Sequence, residues 1–85
     1  MSLTLAARVT RTHVEGGNAV LLDRGNGRYF QLNPTGATLL TLLLEHDRAT
    51  AVDLLTRRHP RAAARIADDV DAFVALLVAR RLVTA

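Results

Sequence analysis

The chain of 85 residues has no cysteine, no lysine and no tryptophan, and its only serine is Ser2. Without cysteine there is no disulfide framework, no thiolate nucleophile and no sulfur-ligated zinc. That absence suits a reducing compartment, so a cytoplasmic location is expected. Aromatics are few: Tyr29, Phe30 and Phe73. Three rings are too few for a base-stacking surface. No apolar stretch approaches the roughly 20 residues that span a bilayer, so no membrane partner is expected. The first residues, Met1 to Arg11, alternate apolar and polar side chains, which is not the pattern of a secretory signal.

What is present is a balance of eleven arginines against eight acids, a formal charge of +3. Spread over one domain, that excess is a weak argument for nucleic acid. The length allows one domain, residues 1–85. A core of this size has little volume to give to a deep catalytic cavity. His13, His46 and His59 stand too far apart in sequence for the i+2 or i+4 spacing of metal ligands. No metal, cofactor or catalytic group is therefore assigned.

The first third carries strand signals. Leu3, Leu5, Ala7 and Val9 alternate with polar or small neighbours and predict a first strand. Glu15-Gly16-Gly17-Asn18 is a turn, and Ala19 to Leu22 a short apolar middle strand. Arg24-Gly25-Asn26-Gly27 is a hairpin turn, since Asn-Gly readily adopts positive φ. It lacks the lysine and the following helix of a phosphate-binding loop. Arg28 to Leu32 forms the third strand, with Phe30 and Leu32 on one face and Tyr29 and Gln31 on the other.

At Asn33-Pro34 the period changes. Asn is a favoured N-cap and Pro a favoured first helical residue, so a helix runs from Pro34 to about Glu45. Its apolar residues surround it, which marks it as the central buried helix. Thr50 and Asp53 resemble a capping box and predict a second helix to about Arg58, with Val52 and Leu55 facing inward. His59-Pro60 ends it. A third helix begins near Arg61 to Ala64 and ends near Arg80. Ile66, Val70, Phe73, Val74 and Leu77 form its inner stripe. Leu82 and Val83 pack back as a tail. Strands first and helices afterwards predict an α+β fold, winged helix-turn-helix-like, with a three-stranded antiparallel sheet followed by three helices.

Three clusters invite a functional reading. Asp68, Asp69 and Asp71 open the third helix, where acids suit the helix dipole and Asp69 can pair with Arg65. Arg57, Arg58, His59, Arg61 and Arg65 form a basic stretch at the start of what would be a recognition helix. This supports a winged-helix DNA-binding alternative, although the three aspartates that follow would repel phosphate. A solvated helix corner explains the same charges. Finally, Tyr29 and Phe30 sit together on a strand that can lie at the sheet edge. A free edge is a place where a peptide can add as a further strand. Tyr29 is equally an ordinary strand residue.

The segments Val20-Leu21-Leu22-Asp23, Gly27-Arg28-Tyr29-Phe30-Gln31-Leu32-Asn33 and Pro34-Thr35-Gly36-Ala37 resemble the PqqD-like proteins. These are the precursor-peptide recognition elements of ribosomally made, modified peptides. The pattern is most similar to the stand-alone type of lasso peptide gene clusters. The resemblance extends over residues 5 to 83, in motif for the first half and in pattern for the helical half. It implies a non-enzymatic adaptor that binds a precursor leader peptide antiparallel to the third strand, in the groove between that strand and the third helix. It also implies a leader Tyr-x-x-Pro anchor and two separate enzymes as partners, a leader-cleaving cysteine protease and an ATP-dependent macrolactam cyclase. Carried onto this chain, the peptide-binding strand is Arg28, Tyr29, Phe30, Gln31 and Leu32. The facing helix supplies Asp69, Val70, Phe73, Val74 and Leu77.

Overall fold

The computed structural model describes residues 2–84. Strands β2 (Val9–His13), β3 (Ala19–Asp23) and β4 (Arg28–Leu32) form an antiparallel meander in the order β2-β3-β4. Helices α1 (Pro34–Glu45), α2 (Arg48–Arg58) and α3 (Ala63–Ala79) follow. The anticipated α+β order is therefore present, with three strands in one sheet ahead of three helices.

Local chemistry explains most boundaries. The β3–β4 turn closes through a Gly27 N–H that donates to the Asp23 carbonyl at 2.8 Å. The Arg28 N–H donates to Asn26 Oδ1 at 2.9 Å. Gly27 has φ of 72°, a conformation that a side chain would strain. Helix α1 starts where Asn33 Oδ1 accepts the Gly36 N–H at 2.8 Å, with Pro34 as its first residue. A single 3-10 turn, Pro60–Ala62, leads into α3.

Two expectations change. The N-terminal alternation is not one strand. A turn in which the Val9 N–H donates to the Ala6 carbonyl separates β1 (Thr4–Leu5) from β2. Strand β1 pairs instead with the C-terminal β5 (Val83–Thr84), in the register Thr4 to Thr84 and Leu5 to Val83. The turn places Ala6 and Val9 in the core and leaves Ala7 exposed. The cap of α2 is Asp47 rather than Thr50: Asp47 Oδ1 accepts the Thr50 N–H at 2.8 Å. Asp and Asn cap more strongly than Thr, and the helix starts three residues earlier. Of its predicted inner residues, Val52 and Leu55 are half-buried, and Ala51 is the one fully enclosed.

The core has two lobes. One lies between the sheet, α1 and the chain end, and includes Leu21, Leu32, Leu40, Leu77 and Leu82. The other lies among the helices, and includes Leu43, Ala51, Ile66, Val70 and Val74. Phe73 packs against both.

A polar clamp fixes the hairpin to the chain end. Asp23 is buried, and both its oxygens accept from Arg8 Nε at 3.0 and 3.1 Å. Arg8 Nη2 donates to the Arg81 carbonyl at 2.9 Å. Burial pushes the Asp23 carboxyl up, but the Gly25 N–H, the Arg8 guanidinium and the Asn26 N–H outweigh it and hold the carboxyl below its ordinary value. The Thr50 hydroxyl and N–H likewise lower Asp47. Both carboxylates are thus charged more readily folded than unfolded. Their contribution is complete above the unfolded value near 4 and disappears as pH falls through the lowered folded values. Thermal melts from pH 7 to pH 2 are therefore expected to fall in midpoint only below about pH 4. Asp23→Asn is expected to flatten that acid limb. An unchanged acid limb in Asp23→Asn overturns the assignment.

Candidate functional site

Strand β4 pairs with β3 on one side only, so its other edge carries unpaired backbone N–H and C=O groups. The register Leu21 to Phe30 and Ala19 to Leu32 puts Arg28, Phe30 and Leu32 on the helix side of the sheet. Tyr29 and Gln31 point to the opposite face, and Tyr29 is 71% exposed. This is the facing that the sequence predicts for the strand.

Beside this edge runs a shallow groove of about 310 Å³. Phe30, Gln31 and Leu32 form one wall and Asp69 and Phe73 of α3 the other, with Leu39 of α1 between them. Beyond Asp69 the surface opens into an apolar hollow of about 300 Å³ that includes Leu39, Leu55, Ile66 and Val70. Towards the hairpin, the trough continues past Phe30 to a smaller recess of about 130 Å³ that also holds Arg28, Arg80 and Asp23. The Arg80 guanidinium lies 5.7 Å from the centre of the Phe30 ring, within cation–π range.

The residues anticipated on α3 divide into two groups. Phe73 and Asp69 reach the groove. Val74 and Leu77 are buried, Leu77 with no exposed surface. They pack in the two core lobes and do not form the groove wall. Val70 is 1% exposed and reaches only the bottom of the apolar hollow. Leu39 and Arg80 also line the trough and its end recess. Leu39 carries no signal of its own within an all-apolar helix, and Arg80 stands at a helix end with no motif around it.

The charged clusters have local explanations. Asp71 pairs with Arg48 at 2.9 Å and ties α3 to the start of α2. Arg57 pairs with Asp53 one helical turn earlier at 3.1 Å. The anticipated Arg65–Asp69 ion pair is not among the ion pairs of the described residues, and both side chains flank the apolar hollow. Among the described residues, no three acids or histidines gather as a metal site. No helix among them is long and apolar enough to cross a membrane.

An α+β domain of winged-helix content, with an open sheet edge beside a helix and a trough between them, is the class that fold and site define. The family model described as coenzyme PQQ synthesis protein D (PqqD) matches residues 18–83, and the chain belongs to that family. It is a PqqD-like recognition element of ribosomally made, modified peptides. Its fold is similar to a structure of lasso peptide synthetase B1 complexed with the leader peptide, at 27% identity and a TM-score of 0.89, over 100% of both chains. It is also similar in fold to TbiB1 in complex with the TbiA(beta) leader peptide, at 23% identity and a TM-score of 0.86. That match covers 100% of this chain and 96% of the other. Comparison with curated protein sequences gives no match.

Proposed function

We propose that residues 1–85 act as one leader-recognition domain of lasso peptide maturation, holding a precursor leader as an added strand on β4. The observation that carries this reading is the free edge of β4 lying alongside the Phe30–Phe73 groove. Two similar folds being leader-peptide complexes supports it. Main-chain bonds to Arg28 through Leu32 supply affinity with little demand on sequence, over about 17 Å of strand. Side chains of the added strand alternate, so one set enters the groove against Phe30, Leu39 and Phe73. The other set lies beside Tyr29 and Gln31. Asp69 gives the helix wall a polar contact. Val70, Val74 and Leu77 act indirectly, by keeping α3 at the correct distance from the sheet.

In this reading the chain does no bond-making chemistry. It presents the leader to a separate cysteine protease and then to an ATP-dependent cyclase, raising the local concentration of substrate. Both enzymes and the chain share the cytoplasm.

The test is a fluorescence-anisotropy titration with the labelled leader of the precursor encoded beside this chain. Saturable binding with a Kd well below about 100 μM is expected. Flat anisotropy up to that concentration would falsify the reading.

A further inference from the structure

The hairpin end of the groove is strongly basic. Arg8, Arg24, Arg28 and Arg80 gather there around one acid, Asp23. Asp23 is already engaged: its oxygens accept from Arg8 Nε and the Gly25 N–H, and it is buried. Arg24 is also committed, donating to the carbonyls of Ala7 and Arg8. Arg28 and Arg80 differ. Both line the recess at the end of the trough, and neither has a carboxylate within ion-pair distance among the described residues. Arg28 shares the groove face of β4 with Phe30, as its register with Asp23 requires. Arg80 is laid against the Phe30 ring. That contact restrains the guanidinium while leaving its edge N–H donors unused. A guanidinium held against a ring and a second unpaired guanidinium lining the same recess make a carboxylate site.

Resting on the leader-binding reading, we infer that Arg28 and Arg80 form a cationic subsite that grips an aspartate or glutamate of the leader as it passes the hairpin end of the groove. The subsite fixes the lengthwise register of the added strand, which backbone pairing alone leaves free to slip by two residues. The surrounding arginines also draw an acidic leader towards this end, so association accelerates as salt is lowered.

The experiment uses the same labelled leader with each Asp and Glu changed in turn to Asn or Gln, titrated against the wild type and against Arg80→Gln and Arg28→Gln. One leader substitution is expected to weaken binding about tenfold, and each arginine variant threefold to tenfold, with tighter binding at 50 mM than at 300 mM salt. In Arg80→Gln the critical leader substitution is expected to have little further effect. Arg80→Glu with the matching leader carboxylate changed to Arg is expected to recover part of the loss. If the wild-type leader binds but no carboxylate substitution and neither arginine variant changes the Kd, the subsite is wrong and the leader-binding reading stands. If the wild-type leader does not bind, both fail. Circular dichroism confirms that the variants stay folded.

Discussion

Phe73→Ala is expected to weaken leader binding about thirtyfold, equivalent to roughly 2 kcal/mol, while the protein stays folded. Phe73 is the one aromatic on α3, is half-buried, and lies where the two core lobes meet the groove. Truncation removes the helix wall opposite Phe30 and leaves a dent that water enters. Aromatic side chains at the centre of a contact dominate binding in this way. About half the ring also contributes to the core, so a stability loss of roughly 1.5 kcal/mol accompanies the change. The Kd by anisotropy and the melting midpoint by circular dichroism separate the two effects. Phe73→Leu should recover most of the stability and only part of the affinity. An unchanged Kd in folded Phe73→Ala removes the groove from the recognition surface.

Leu77→Ala is expected to act in the opposite proportion. Leu77 has no exposed surface and packs in the lobe under the sheet, with Leu21, Leu40 and Leu82. Deleting its branched end creates a cavity and removes buried apolar contact, for a loss of about 3 kcal/mol. A domain of this length has a total stability of roughly 4–13 kcal/mol, so the loss is severe. The melting midpoint should fall by roughly 12–24 °C. Binding measured well below that midpoint should change less than threefold, on the order of the exposed-contact effects. A large affinity loss in a folded Leu77→Ala would return Leu77 to the groove wall.

The contrast between Phe73 and Leu77 marks where sequence reading succeeds and where it stops. The 3.6-residue period placed Ile66, Val70, Phe73, Val74 and Leu77 on one stripe, and all five face inward or to its margin. Periodicity gives the direction of a stripe. It does not say which member lies under a neighbouring element and which borders a gap. That depends on how far α3 stands from β4, a tertiary quantity. The strand facing was legible because a period of two leaves only two choices, and Phe30 and Tyr29 took them as predicted. The Asn33-Pro34 cap was legible because both residues act locally. The break at Ala6 to Val9 was not. Its cause is a pairing with Val83 and Thr84 at the far end of the chain, and the alternation of Leu3, Leu5, Ala7 and Val9 carries no trace of that partner. Arg80 is silent in the sequence for a similar reason: its meaning comes from Phe30, fifty residues away.

The pairing of β1 with β5 has a kinetic consequence. The meander joins neighbours through short turns, and the helices close on themselves, so both can form from local contacts. Among the described residues, the β1–β5 ladder joins the most distant positions, Thr4 with Thr84 and Leu5 with Val83. Its closure entropy is the largest in the molecule, which makes it a late event in folding. It is also a short two-residue seam, the kind of contact that opens ahead of global unfolding. Leu82 and the carbonyl of Arg81, which anchor the chain just after Arg80, depend on that seam staying shut. The Arg80 side of the basic end is therefore built last and released first, whereas Arg28 and the Phe30–Phe73 section belong to the part of the fold that persists.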